Sequence, residues 1–326
     1  MFQSSRRRLR LLCAVVALFA TAAIAQTPYP SKPIRLIVPQ TAGGPSDTVA
    51  RIVGKRLGEI LGQTILVENK PGAGGNIGTD MVAKAAPDGY TLLINLVSNL
   101  AINETLYLKL PYNLERELTP VGLLASTSLT LVSHPSLQVH SVRDVIALAK
   151  NSPSQLNVAS SGTGSVMHVS IELLNKLADI KLGHVPYKGA APAMVDLLGG
   201  HIKLGFVGTP AAFPLIKQGK LIGLATTGTE RSRLLPDLPT MIEAGMPGFD
   251  AEAIHGVWVT AGTPAGRLER LNGALREVLV SEGVKDQLAI LGFDTRPTLA
   301  QQHAVYLKSE IAKWAPIVRA SGATPD

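Results

Sequence analysis

Two stretches of this sequence put glycines and small hydroxyl residues where an apolar strand would run into a helix. The first is Val38-Pro39-Gln40-Thr41-Ala42-Gly43-Gly44-Pro45-Ser46-Asp47. The second, about 120 residues later, is Val158-Ala159-Ser160-Ser161-Gly162-Thr163-Gly164-Ser165. The first turn of a helix has N–H groups without intrahelical acceptors and carries roughly half a positive charge, so each junction is suited to an anion. Glycine allows close approach of a ligand to the backbone, and Ser/Thr hydroxyls add donors without bulk. One such junction in each of two lobes would grip a carboxylate from both sides. Read singly, either is an ordinary turn in which Ser46 or Ser165 is only a helix cap.

Other chemistries find little support. There is no GxxxxGK[ST]; Gly162-Thr163-Gly164 lacks the third glycine of GxGxxG; and Asn69-Lys70-Pro71-Gly72-Ala73-Gly74-Gly75 has neither spacing. No GxSxG elbow surrounds Ser160 or Ser161. The seven histidines, at 134, 140, 168, 184, 201, 255 and 303, show no HExxH or HxH pairing, so neither a metal nor a cofactor is expected. His168, three residues after Ser165, is placed to stack on or bond a ligand, or to be satisfied within its own helix turn. Tyr187-Lys188-Gly189 offers a phenol and a cation near the same cleft, with a solvated lysine as the plainer reading. No catalytic residue is expected; a hydrolase using Ser165 and His168 would lack an orienting acid.

Composition narrows the class. The 326 residues include 46% hydrophobics, which suits a globular chain and suggests two domains. Residues 1–25 read as an export signal: Arg6, Arg7, Arg8 and Arg10, an apolar middle, and Ala23-Ile24-Ala25 as cleavage site. Ser5-Arg6-Arg7 leaves the twin-arginine route open beside the general one. Cleavage removes Cys13, the one cysteine, and four arginines. The remaining charge is 27 basic against 24 acidic residues, or +3, where the whole chain has +7. No basic run interleaved with aromatics follows, which argues against nucleic acid as a partner.

The elements that must position the two junctions alternate. Strands are expected at 34–38, 64–68, 90–95, 156–159, 183–186, 202–207, 221–226 and 254–259, with helices at 49–61, 81–86, 166–177, 193–198 and 210–218 and a helical tail. That pattern predicts α/β architecture with mostly parallel sheets flanked by helices. It predicts two lobes, residues 26–125 with 250–326 and residues 126–249, and a cleft between them.

At these same residues the sequence resembles the Bug family of extracytoplasmic solute receptors, the TctC-type binding components of tripartite tricarboxylate transporters. The resemblance runs in order through 39–51, Val67-Glu68-Asn69-Lys70-Pro71-Gly72-Ala73-Gly74-Gly75, Ala86-Pro87-Asp88-Gly89-Tyr90-Thr91-Leu92, Ser161-Gly162-Thr163-Gly164-Ser165 with His168, His184-Val185-Pro186-Tyr187-Lys188-Gly189, Asp196-Leu197-Leu198-Gly199-Gly200 and Glu243-Ala244-Gly245-Met246-Pro247-Gly248-Phe249. It implies a type II periplasmic-binding-protein fold without enzymatic activity, a periplasmic monomer, and transporter subunits as partners. It further implies a carboxylate held between the two junctions, often through ordered waters. By position, one jaw takes Gln40, Thr41, Ala42, Gly43, Gly44, Ser46 and Asp47; the other takes Ser160, Ser161, Gly162, Gly164, Ser165 and His168. Asn95, Ser98 and Tyr187 are expected as walls. Asp47 reads better as a first-turn acid than as a ligand contact.

The departures fall where specificity would be set. Gln40 replaces a usual aromatic, Ala42 a common proline, Val207 a frequent Asp and Ile254 a frequent Trp. Loss of the Asp at 207 argues against an amino-bearing ligand. A receptor that docks on a sensor protein and transports nothing would use the same cleft.

Overall fold

The computed structural model describes residues 28–152 and 155–325; the export signal expected at 1–25 and Cys13 lie outside them. The apolar run 34–38 forms β1 (Ile34–Val38), buried except for Arg35. A glycine bend leads into α1 (Pro45–Leu61), which starts on Pro45 and stops where Gly62 turns left-handed at φ 68°. Its stripe Val49, Val53, Leu57 and Leu61 is buried. β2 (Ile65–Asn69), α2 (Asn76–Ala83), β3 (Thr91–Leu96), α3 (Val97–Leu106) and the single turn α4 (Leu114–Glu117) follow. β4 (Leu118–Thr127) leads almost directly to β5 (Leu129–Ser133).

The second half comprises α5 (Val142–Asn151), β6 (Asn157–Ser160), α6 (Val166–Ala178), β7 (Gly183–Pro186), α7 (Ala190–Leu198), β8 (Leu204–Gly208), α8 (Thr209–Lys217) and β9 (Ile222–Thr226). The chain then returns through β10 (Ala253–Thr260), α9 (Ala265–Val280), α10 (Glu282–Ile290), β11 (Asp294–Thr295) and α11 (Ala300–Ser321).

Two sheets result, ordered β11-β4-β10-β3-β1-β2 and β7-β6-β8-β5-β9. Among the strands named above, β1 pairs parallel with β2 and β3, and β6 with β7 and β8. β10 pairs antiparallel with β3 and β4, and β5 antiparallel with β8 and β9. The sheets are therefore mixed where mostly parallel ones were expected. β5 and β10 are the strands entered from the opposite sheet, β5 almost directly and β10 through the segment 227–252, with no crossover helix to reset direction. The first sheet holds Ser126 and Thr127 through their pairing with Ile254 and Ala253, two residues beyond the expected change at 125.

The two crossings lie side by side. Leu129 N donates to Thr227 Oγ1 at 2.9 Å, and Thr227 Oγ1 donates to Ala251 O at 2.8 Å. Arg296 joins them from the outside: its Nε donates to Ser126 Oγ at 2.9 Å and its Nη2 to Glu252 Oε2 at 2.8 Å. The core of the second sheet also takes in α3 and α11, because Ile102, Leu106, Trp314, Ile317 and Val318 share one buried cluster with Val166, Val169 and Leu173 of α6. Trp258, Ile37, Leu93 and Leu100 belong to a separate cluster on the first sheet.

Candidate functional site

The first bend is tied off from within. Gly44 caps α1 through extended backbone without a side-chain bond, and Gly43 takes φ 78°. The Gly43 amide donates to Asp47 Oδ2 at 2.9 Å, and Arg51 Nε donates to the same oxygen at 3.0 Å. Burial pushes the Asp47 carboxyl up, but the bonds from Arg51 and Gly43 outweigh it and leave the group below the usual carboxylate range. Asp47 is thus a buried, paired acid that clamps its own bend. Thr41, Ala42 and Gly43 are exposed.

Ser46 is not the cap of α1. It is 4% exposed, and its Oγ lies 3.0 Å from His255 Nε2 on β10. Burial pushes the His255 imidazole down to about 4, so the ring is neutral near pH 7. Gln40, at the base of the bend, donates from Nε2 to Asn95 Oδ1 at 2.8 Å, and Asn95 Nδ2 donates to Thr79 Oγ1 at 3.3 Å. Ser98, at the start of α3, is buried, and its Oγ has no hydrogen-bond partner.

The second bend follows β6. Ser160 is fully buried, with Oγ 2.6 Å from His184 Nε2 on β7 and accepting from Gly162 N at 3.2 Å. Gly162 and Gly164 take φ 126° and 76°. Ser165 caps α6: its Oγ accepts from His168 N at 3.2 Å and donates to Gly162 O at 2.7 Å. The Gly164 amide donates to His168 Nδ1 at 3.1 Å, and the His168 and His184 rings stack at 3.8 Å with an 11° interplanar angle. Ser165 Oγ therefore meets the main chain of His168 and not its ring. Ser161 through Ser165 are partly exposed.

α3 spans between the bends. Asn95, bonded to Gln40, sits two residues before its start. At its far end Leu106 packs so closely on Gly164 that a Cβ there would lie 2.3 Å from Leu106 Cδ2. Ten helical residues give a length of about 15 Å.

Two expected residues are placed differently. Tyr187 OH donates to Asp196 Oδ2 at 2.7 Å, so its phenol is engaged with α7. Val207, read as the position of a frequent Asp and as a candidate ligand contact, is buried in an apolar cluster with Val132, Ala159, Ala193 and Leu197, which makes it a core residue. His184 and His255, which hold Ser160 and Ser46, escaped the sequence reading because nothing local links positions 24 and 209 residues apart. A hollow of about 470 Å³ between α4, β4 and α11, lined by Leu114, Leu118, Leu307 and Ile311, includes neither bend.

Residues 49–323 match the family described as Tripartite tricarboxylate transporter family receptor. The chain belongs to that family. It is 37% identical over 319 residues to Protein BugT of Bordetella pertussis, covering 96% of this chain and 98% of BugT. A solved R. palustris protein with adipate superposes with TM-score 0.82 at 34% identity, covering 91% of this chain and all of that one. MatC of Rhodopseudomonas palustris with bound malate gives 0.78 at 33% identity, covering 89% of this chain and all of MatC. This TctC receptor thus has the mixed α/β architecture of periplasmic solute-binding proteins, and its relatives are receptors for solutes. No helix among the described residues is long and apolar enough to cross a membrane.

Proposed function

We propose that this TctC receptor is a periplasmic protein that closes two lobes around a small carboxylate and delivers it to a tripartite transporter. The observation that carries the reading is which donors the two bends leave over. The inward amides are already used, Gly43 by Asp47 and Gly164 by His168, and Ser165 Oγ takes the amide of His168. At the helix starts this leaves the first-turn amides of Ser46 and Asp47 on α1 and of Val166 and Met167 on α6, which have no intrahelical acceptor. The partly exposed hydroxyls of Ser161 and Thr163 and the exposed one of Thr41 stand beside them. A small oxyanion suits uncharged donors of this kind, with waters completing the shell. The relatives solved with adipate and malate support a dicarboxylate.

The lobes in this reading are the first sheet with its helices, up to Thr127 and again from Ala253, and the second sheet with its helices, from Leu129 to Thr226, turning about the paired crossings at 128 and 227–252. The ligand contacts both lobes only in the closed form and so favours it. Ser46, Asp47, Ser160 and His168 act behind the ligand, through the amides that they orient. The export signal at 1–25 would deliver the protein, as a monomer, to the periplasm.

The test is a thermal-unfolding screen of the mature chain against mono-, di-, tricarboxylic and aromatic acids, with amines and neutral solutes alongside. A true ligand at 100 times its dissociation constant adds about 2.7 kcal/mol of stability, a clear rise in melting temperature. No shift with any acid, and a shift with an amine or neutral solute instead, would overturn the carboxylate reading.

A further inference from the structure

The second bend is bonded at both ends to a single pair of rings. We propose that His168 and His184 are positioning residues that set ligand affinity, their stacked imidazoles mounting the 160–165 bend in its binding geometry; this rests on the reading that the bend takes a carboxylate. His184 reaches the entry of the bend through Nε2 on Ser160 Oγ at 2.6 Å. His168 reaches its exit by accepting the Gly164 amide on Nδ1 at 3.1 Å. The rings come from β7 and α6 and lie 3.8 Å apart, so they fasten a strand, a helix and both ends of the bend together.

The chemistry of this mount is specific. An amide can donate only to a bare Nδ1, so the His168 proton sits on Nε2, which faces Glu172 Oε1 at 3.8 Å. Held on this ring, the Gly164 amide anchors the residue that precedes the Ser165 cap, where the amides of Val166 and Met167 open α6. A bend containing two left-handed glycines has little conformational preference of its own, so geometry supplied from outside reduces the ordering needed on binding. His168 is 4% exposed, consistent with a ring that acts through Gly164 and not on the ligand.

The test uses adipate and malate as probes, calorimetry for affinity, and amide hydrogen exchange of Gly164 in the ligand-free protein. His168→Asn keeps an acceptor near the Nδ1 position; His168→Leu removes it. His184→Gln keeps a polar group near Nε2; His184→Phe keeps the stack and loses the bond. We expect His168→Leu and His184→Phe to weaken binding by about ten- to a hundredfold. Gly164 exchange should accelerate at least tenfold in His168→Leu, and Asn and Gln should recover most of each loss. Unchanged Gly164 protection and affinity in His168→Leu would overturn the proposal. So would an affinity loss that His168→Asn fails to recover while Gly164 stays protected, since the ring would then touch the ligand itself. If the wild type binds neither acid, the dicarboxylate assignment fails by itself, and Gly164 exchange across the variants still decides whether the mount exists.

Discussion

Ser46 and His255, 209 residues apart, meet at 3.0 Å where α1 enters the bend after β1. The contact makes the first bend depend on a strand that arrives only after the second sheet is complete. Ser46→Ala would leave His255 Nε2 buried without its partner, which costs about 1–3 kcal/mol. Urea unfolding should therefore show a lower midpoint at unchanged slope, together with weaker ligand binding. Equal midpoints for variant and wild type would show that the hydroxyl supports nothing.

The same histidine predicts an acid-sensitive fold. Burial pushes His255 down to about 4, whereas an unfolded histidine titrates near 6.5. Between these values the unfolded chain binds a proton that the folded chain refuses. Stability from His255 is thus complete above pH 6.5, falls as pH drops toward 4, and levels below that. The full effect is on the order of 3 kcal/mol. Glu252 and Glu172, raised by burial, work in the opposite direction over the acid range. The informative quantity is therefore a difference: His255→Asn should lose less unfolding free energy than the wild type between about pH 7 and pH 4.5. Identical losses would contradict a buried neutral ring.

Gly164 is constrained twice, by φ 76° and by Leu106 of α3, 2.3 Å from where a Cβ would stand. Gly164→Ala should lower stability by about 1–3 kcal/mol and reduce ligand affinity more than tenfold. Adding Leu106→Ala should relieve the clash but not the backbone strain, so calorimetry should show partial recovery. No recovery at all would mean that α3 does not brace the bend.

Arg296 bonds Ser126 on one crossing and Glu252 on the other. Arg296→Met should strand a largely buried carboxyl whose pKa burial already raises, at a cost of about 1–3 kcal/mol. Amide exchange at 126–129 should accelerate relative to the core of either sheet. Protection equal to wild type would remove Arg296 from any role in holding the two crossings together.

Much of the architecture was legible because apolar runs of strand length alternate with helical stripes; β1, β7 and the left-handed stop at Gly62 fall where local pattern puts them. β4 and β5 escaped because Thr119, Pro120, Ser126 and Ser128 interrupt the apolar signal, while their pairing with β10 and β8 is remote. The short helix expected at 81–86 begins at Asn76, where Gly74 and Gly75, at φ 62° and 90°, finish the preceding loop. At the site, residue types pointed to both bends but not to the partners that occupy their donors. Asp47 on Gly43, His255 on Ser46 and His168 on Gly164 are matters of side-chain direction, which spacing along a chain does not encode.

The most direct measurement is a crystal structure of the mature protein with the dicarboxylate that most raises its melting temperature. One carboxylate should lie between the starts of α1 and α6, its oxygens within hydrogen-bond or one-water reach of the Ser46 or Asp47 amide and the Val166 or Met167 amide. A bound acid seated away from both helix starts, or held by one lobe alone, would contradict the account.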